Sequence, residues 1–330
     1  MSDVEPDNNS RHQAEPSGWE KKMLQQVLDA NLKETRRSRR WGIFFKLLGF
    51  GYLFLLLGMV IWSDKLDMSD VKVTEHTALV KVEGLISSET KASADKIVTG
   101  LRDAFEDEKT KGVILRLNTP GGSSVQSRYI NRELVRLKEK YPDMPVYAVC
   151  VDVCASGGYY IAAAADEIYA DEGSIVGSIG VLINGFGFVD TLEKLGVERR
   201  LLTAGDHKGL LDPFSPVSSQ EETHVEALLA QVHQQFIDAV KDGRGDRLKH
   251  QANPELFSGL FWSGEEAKKL GLVDEFGSSS YVAREIIGAK EIVDFTPKAD
   301  VWDRFAQRLG AGAAEVLGRW GGLDSRLRLE

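Results

Sequence analysis

Short apolar runs alternate with amphipathic stretches in the middle of the chain. Apolar and β-branched residues predict strands over Thr77–Gly84, Gly112–Asn118 and Val146–Val153. The intervening stretches 92–106 and 128–140 carry apolar residues at helical spacing. Strands that alternate with helices through short connections are typical of parallel strands joined by crossover helices, so the predicted fold class is α/β.

The most apolar stretch lies near the N-terminus. Between Trp41 and Trp62 the only charged residue is Lys46, and about 20 such residues cross a bilayer as a helix. Basic residues precede the stretch and acidic residues follow it: Lys33, Arg36, Arg37, Arg39 and Arg40, then Asp64, Asp67 and Asp70. The long polar stretch upstream and the lack of a clear cleavage site after Trp62 disfavour a signal peptide. The pattern predicts one transmembrane helix at 41–63, which anchors the chain to membrane lipid. The N-terminus is then cytoplasmic, and the rest lies in the periplasm of a Gram-negative cell.

The predicted organisation has four parts. Residues 1–40 form a polar, basic cytoplasmic arm, which is mostly disordered up to about Asn31 apart from a short helix over Trp19–Leu32. The transmembrane helix at 41–63 follows, and a globular catalytic domain occupies 74–296. Residues 297–330 form a tail with apolar residues at helical spacing, which predicts an amphipathic helix that packs on the core or on another subunit.

Composition excludes some function classes. The formal net charge of the 330 residues is −9, which argues against a general nucleic-acid binder. The two cysteines, Cys150 and Cys154, fit small packing residues better than a disulfide or a metal site, and no His or Cys pattern supports a metal. We therefore expect no metal and no cofactor.

A serine stands where the third predicted strand meets an Ala-rich helix, in Ala155-Ser156-Gly157-Gly158. Such a corner exposes the hydroxyl beside a backbone N–H, as a nucleophile requires. Taken alone, the corner fits a helix N-cap serine better. The second strand ends in Asn118-Thr119-Pro120-Gly121-Gly122-Ser123, which alone is a turn. Together, the Gly122 and Gly157 N–H groups would form two oxyanion donors on neighbouring strands.

A serine nucleophile also needs a base. His207 and Lys208 both follow a predicted strand at Glu198–Thr203, and spacing does not decide between them. Lysine acts as a base near neutrality only when it is desolvated and kept away from carboxylates, and Asp206 and Asp212 are close in sequence. Three further histidines in a polar helical region, His224, His233 and His250, are predicted on solvated faces.

Four motifs, in this order, resemble the signal peptide peptidase A (protease IV) family: Asn118-Thr119-Pro120-Gly121-Gly122-Ser123, Ala155-Ser156-Gly157-Gly158-Tyr159-Tyr160, Gly177-Ser178-Ile179-Gly180-Val181 and Gly205-Asp206-His207-Lys208. The resemblance covers roughly residues 77–277. It implies a Clp-protease/crotonase-like fold and a Ser/Lys dyad.

By position, the resemblance makes Ser156 the nucleophile and Lys208 the general base. Gly122 and Gly157 match the oxyanion-hole positions, and Ser178 matches the serine that orients the lysine. The family acts on short hydrophobic peptides such as cleaved signal peptides and assembles into rings or domes, so we expect a homo-oligomer. Two alternatives are a crotonase-like acyl-CoA enzyme and a non-catalytic membrane-anchored scaffold that binds hydrophobic peptides.

Overall fold

The computed structural model describes residues 18–66, 75–249 and 253–297, and the chain divides into two compact units after Val71. The described part of the first unit is one helix, α1 (Gly18–Leu66). The helix expected over Trp19–Leu32 is present as the beginning of a much longer one. The remainder of the arm, residues 1–17, lies outside the described residues.

Among the helices of the described residues, none combines the length and the apolar character that crossing a bilayer requires. The predicted span at 41–63 is described in full only as helical backbone, because the side chains of 56, 57 and 59–66 are not among those described. The predicted C-terminal helix, from residue 298 onward, also lies outside the described residues.

The described residues of the second unit form an eight-stranded sheet with helices between its strands. The strands are β1 (His76–Glu83), β2 (Thr110–Thr119), β3 (Val146–Ala155), β4 (Glu167–Ala170), β5 (Ile175–Gly177), β6 (Phe261–Ser263), β7 (Glu275–Phe276) and β8 (Ile292–Asp294). The helices are α2 (Ala94–Glu106), α3 (Ser124–Lys140), α4 (Gly157–Ala162), α5 (Val189–Lys194), α6 (Ser219–Arg244), α7 (Gly264–Lys269) and α8 (Ser279–Tyr281), which continues into a π-helical turn, Val282–Ile286.

The sheet order is β6-β5-β3-β2-β1-β8, and β4 lies beside β3 and also pairs with β7. Every strand pair is parallel except β5 with β6. The predicted α/β class, with parallel strands and crossover helices, is therefore confirmed. The three strands and two helices predicted from periodicity are all present, with ends that differ by a few residues.

The main core lies on one face of the sheet, because successive strand residues point to opposite faces. Alternate residues of β1, such as Val80 and Val82, pack there with apolar residues of α2, α3, α4 and α6. The opposite face has a smaller cluster, in which Leu79 and Ile114 pack with Val282 of the π-helical turn. Both cysteines are free and buried in the main core, as the packing interpretation predicts.

The predicted strand at Glu198–Thr203 is wrong, since these residues form no strand. Leu201 and Leu202 are 41% and 96% exposed, so the apolar pattern here does not reflect packing within this chain. A strand needs a hydrogen-bonded neighbour, and this segment has none among the described residues.

An irregularity in β3 sets the position of the serine corner. Leu117 and Thr119 of β2 pair with Cys150 and Cys154 of β3, so β3 has two extra residues at this point. Asn118 holds this bulge: its amide nitrogen donates to Asp152 at 2.7 Å, and its amide oxygen accepts from Val153 N at 3.2 Å. Bulges of this kind bend a strand and redirect the side chains beyond it.

Candidate active site

Ser156 occupies the corner between β3 and α4 in a strained backbone conformation, with φ 50° and ψ −120°. It stands at the N-cap position of α4, but its side chain makes no capping hydrogen bond. A serine chosen for capping would accept from an N–H in the first turn. The structure therefore does not support the N-cap interpretation of this serine, and its partly exposed hydroxyl is left available.

The turn after β2 packs directly against this corner. A Cβ on Gly121 would lie 2.7 Å from both Gly157 N and Ser156 Cβ, and a Cβ on Gly157 would lie 3.4 Å from Gly122 N. Gly122 has φ +146°, and a Cβ there would lie 2.2 Å from Ile86 O. These contacts leave no room for a side chain at Gly121 or Gly122, so the backbone of this turn meets the backbone of Gly157 beside Ser156.

The N–H groups of Gly122 and Gly157 are available. Gly122 lies in a bridge with Ile86, but the bonds of that bridge run from Ile86 N to Gly121 O and from Ser123 N to Ile86 O. Gly157 is the first residue of α4, where an N–H has no partner within the helix. Within the described residues, neither N–H donates a backbone hydrogen bond. Two unpaired N–H groups beside a serine hydroxyl suit the binding of a developing oxyanion.

Ser178 lies in the turn that follows β5, next to the serine corner. Ala155 pairs with Gly177, and Ser156 N donates to Gly177 O at 2.8 Å. Ser178 has φ +53°, rare for a residue other than glycine. Its own N–H donates to Leu260 O at 2.8 Å. The structure therefore brings together Ser156, Gly157, Gly122 and Ser178.

Lys208 and His207 lie in an exposed turn in which Lys208 N donates to Gly205 O at 3.1 Å. Within the described part of the chain, neither side chain forms a hydrogen bond or an ion pair, so the structure does not join Lys208 to Ser156 or Ser178. Asp212 points elsewhere: it accepts from Ser215 Oγ at 2.7 Å and pairs with Arg199 at 3.4 Å. The Ser215 hydroxyl and the Arg199 guanidinium lower the pKa of Asp212.

One histidine was placed wrongly by the sequence analysis. His224 is exposed as expected, but His233 is half-buried, and its Nε2 lies 3.0 Å from Ile179 O. The signal was present in the periodicity of α6, because residue 233 lies one turn from Phe236 and two turns from Val240, both of which are buried. His250 lies outside the described residues.

No group of three or more His, Cys, Asp or Glu side chains within the described ranges is arranged to hold a metal ion. The residues gathered at the corner are hydroxyl and backbone amide groups. Their chemistry suits nucleophilic attack on a carbonyl with stabilisation of the resulting oxyanion.

Comparison with known proteins places this site in a family. The model of peptidase family S49 matches residues 138–292, which include Ser156, Ser178 and Lys208. The chain is 33% identical over 219 residues to "Putative protease slr0021" of Synechocystis sp., a match that covers 66% of this chain and 74% of that protein. It is 33% identical over 214 residues to "Putative signal peptide peptidase SppA" of Enterococcus faecium, with 65% of this chain and 61% of that protein covered. The chain therefore belongs to peptidase family S49, the family of signal peptide peptidase A and protease 4.

A further relative is the "Na(+)/H(+) antiporter NhaA" of Brucella abortus, 46% identical over 190 residues. The match covers 58% of this chain and a quarter of the antiporter. Since three quarters of that protein lie outside the match, we draw no functional conclusion from its name.

Proposed function

We propose that this chain is a serine endopeptidase with a Ser/Lys dyad, in which Ser156 is the nucleophile and Lys208 is the general base. The observation that carries the proposal is the conformation of Ser156: it is strained, its hydroxyl caps no helix, and it lies beside the unpaired N–H groups of Gly122 and Gly157. Membership of a peptidase family supports peptide bonds as the substrate.

The reaction is acyl transfer in two steps. Neutral Lys208 takes the Ser156 hydroxyl proton as Oγ attacks the peptide carbonyl carbon, and the Gly122 and Gly157 N–H groups bind the oxyanion. The lysine ammonium then protonates the leaving amine as the C–N bond breaks, which leaves an acyl ester on Ser156. Lys208 next removes a proton from water as the water oxygen attacks the ester carbon. The lysine ammonium then returns this proton to Ser156 Oγ as the C–O bond of the ester breaks and the carboxylic product leaves. Ser178 orients the amine without adding a charge that would favour its protonation.

Lys208 lies in a solvent-exposed turn, whereas a lysine base needs to be desolvated, and in this proposal assembly into a homo-oligomer supplies the cover. Segment 182–217, which carries Lys208, exposes several large apolar side chains: Leu182 at 78%, Phe186 at 76%, Leu195 at 70% and Leu202 at 96%. Exposed apolar surface of this extent is typical of an interface. A neighbouring subunit that covers it would also remove water from around Lys208, and desolvation disfavours the charged form of an amine.

The substrates we propose are short hydrophobic peptides such as the remnants of cleaved signal peptides. One relative is named as a signal peptide peptidase, and the apolar sequence at 41–62 supports a membrane anchor that would hold the enzyme where such peptides leave the bilayer. In this proposal the anchor spans the inner membrane of a bacterium at 41–63, the N-terminus is cytoplasmic, and the catalytic unit is periplasmic. Carbonate extraction and protease protection of spheroplasts test the anchor and its orientation.

Active-site labelling tests the chemistry. The full-length protein in detergent is treated with a fluorophosphonate, and the labelled peptide is mapped by mass spectrometry. We expect labelling at Ser156, loss of labelling and turnover in Ser156→Ala, and loss of turnover in Lys208→Ala with His207→Ala unaffected. Turnover retained in both Ser156→Ala and Lys208→Ala would refute the dyad, and an inactive His207→Ala with an active Lys208→Ala would make the histidine the base. Failure to label at any pH, together with peptide binding, would favour the scaffold.

Mixed oligomers test the contribution of a neighbour. Ser156→Ala and Lys208→Ala subunits are each inactive by the proposal, and they are mixed after dissociation and then reassembled. Recovered turnover would mean that one subunit's lysine serves another's serine. No recovery, with full activity in remixed wild-type subunits, would mean that each chain completes its own dyad.

A further inference from the structure

Helix α6 carries two polar side chains, His233 and the buried Arg244 at its last residue, in an otherwise apolar inward stripe. Phe236 and Val240 are buried, and Val225 and Leu229 are half-buried on the same side of the helix. His233 lies in this stripe by helical spacing and is half-buried as well. A polar group in such a position usually has a hydrogen-bond partner that accounts for it.

The partner of His233 belongs to the turn that carries Ser178. His233 Nε2 lies 3.0 Å from Ile179 O, and a carbonyl oxygen only accepts, so Nε2 carries the hydrogen and donates. Ile179 is fully buried and directly follows Ser178. The bond therefore fixes the Ile179–Gly180 peptide, whose N–H in turn donates to Ser178 O at 2.9 Å.

The turn is one that needs external support. Gly177 has φ +108° and Ser178 has φ +53°, and a residue other than glycine stays in such a conformation only when its surroundings hold it there. One side is held by Ser178 N, which donates to Leu260 O at 2.8 Å. His233 holds the other side from α6.

The same helix also contacts the element that carries the nucleophile. The Phe236 ring stacks on the Tyr160 ring of α4 with 4.8 Å between centroids. Tyr160 N donates to Ser156 O at 3.0 Å. One face of α6 thus touches both halves of the site, at Tyr160 and at the Ser178 turn.

We infer that His233 is a positioning residue for Ser178: its Nε2–H holds the Ile179–Gly180 peptide, which bonds back to Ser178 O, so that the Ser178 hydroxyl faces the lysine amine. The inference rests on the proposed Ser/Lys mechanism. Without the bond, the turn relaxes toward an ordinary backbone conformation and the hydroxyl moves. A displacement of about 1 Å in an orienting group costs on the order of a hundredfold in rate.

Two amide substitutions separate the hydrogen bond from packing. In His233→Gln the side-chain nitrogen falls near the position of Nε2 and can still donate, whereas in His233→Asn it falls near the position of Nδ1 and cannot reach Ile179 O. We expect kcat to fall by about 10- to 100-fold in His233→Asn with KM changed less than about twofold, and kcat to stay within about threefold of wild type in His233→Gln. His224→Asn, an exposed position on the same helix, should match wild type.

The pH profile of kcat supplies a second readout. Because the proposed mechanism places Ser178 against the base, its displacement should shift the acidic limb in His233→Asn and in Ser178→Ala alike, and leave it in place in His233→Gln. Circular dichroism and thermal unfolding test whether the variants are folded. If His233→Asn does not fold, the inference is tested by His233→Gln, which should keep kcat within about threefold of wild type.

The inference is overturned if His233→Asn turns over like wild type, or if a folded His233→Gln is as impaired as His233→Asn. It is also overturned if His233→Asn is impaired while Ser178→Ala is not, since His233 would then act through another group. Turnover in Ser156→Ala would instead remove the proposed mechanism itself, so the two failures are distinguishable.

Discussion

Ser156 donates its backbone N–H to the carbonyl oxygen of Gly177 at 2.8 Å. This bond links the corner after β3 to the turn after β5. Ser156 and Ser178 directly follow Ala155 and Gly177, which pair with each other, so the two serines lie at the same edge of the sheet. In an open α/β sheet this carboxyl edge is where ligands bind.

Backbone strain is concentrated in the same segments. Among the described residues other than glycine, positive φ occurs at Ser156, Ser178 and Leu211. The first two border the site, and Leu211 belongs to the turn that follows Lys208. Strained conformations cluster at active sites because the surrounding structure holds functional groups in place at the expense of local stability. The strain therefore supports a functional role for the lysine turn as well as for the serine corner.

The contact between Gly121 and the corner predicts that Gly121→Ala is inactive. The added Cβ would lie 2.7 Å from Gly157 N and from Ser156 Cβ, at a φ of +99°. We expect kcat/KM to fall by about a hundredfold or more and stability to fall by roughly 1–3 kcal/mol. Gly173→Ala is the control, because its Cβ would meet only Asp171 Oδ1 at an ordinary 3.4 Å. Equal activity of the two variants in a peptide-hydrolysis assay would contradict the proposed packing at the site.

The buried Arg244 predicts a large effect on stability. Its guanidinium donates to both Asp274 oxygens at 2.7 Å and to Gly271 O, with its side chain 0% exposed. Arg244→Met leaves Asp274 without its main partner and should lower the free energy of unfolding by about 3–5 kcal/mol. The exposed pair Arg284–Glu285 provides the control, Arg284→Met, which should change little. Urea unfolding measures both, and similar midpoints for the two variants would refute the prediction.

Glu133 should make stability depend on pH. Hydrogen bonds from Arg136 and Arg102 lower its pKa from 4.5 to about 2. Because the folded pKa is the lower one, the stabilisation is complete above the unfolded value near 4.5 and is lost as the pH falls toward 2. Glu133→Gln should therefore be less stable than wild type at pH 6, and the difference should shrink steadily between pH 4.5 and 2. A difference that stayed constant over this range would show that the carboxylate charge is not the cause.

The cysteines should react slowly in the folded protein. Cys150 and Cys154 are 2% and 0% exposed, and burial, followed by the hydrogen bond with Cys150, raises the pKa of the Cys154 thiol. The thiolate is the reactive form, so alkylation should be far slower in buffer than in urea. Mass spectrometry after iodoacetamide treatment counts the modified thiols. Rapid modification of both thiols without urea, or loss of turnover in Cys154→Ala, would suggest that a cysteine takes part in the chemistry.

Much of the fold could be predicted from periodicity alone. The strands containing Val80, Leu115 and Val149 and the helices between them are present because apolar spacing records which face of an element is buried. The prediction failed at Glu198–Thr203, where Leu202 is 96% exposed. The apolar sequence pattern of this segment is the same whether its side chains are buried within the chain or exposed on its surface.

Some features of the candidate site could likewise be predicted from the sequence, and others could not. The glycines after β2 and the serine after β3 are recognisable because few residue types tolerate the conformations that such turns require, as φ +146° at Gly122 shows. The inward position of His233 was recognisable from the periodicity of α6, but its hydrogen bond was not, because the partner is a backbone carbonyl 54 residues away. Backbone carbonyls are common to all residues, so no residue type at position 179 signals the bond.

The sequence by itself determined the α/β class, the order of the first three strands and the two helices between them, and the place of the serine corner, since these depend on spacing and on residue type. Only the tertiary structure decided that Ser156 caps no helix and that Gly121 and Gly122 lie against it. It also decided that Asp212 faces Arg199 and that His233 bonds to the Ser178 turn. These facts depend on which atoms of separate segments meet when the chain packs, and the spacing of residue types along the sequence does not encode those contacts.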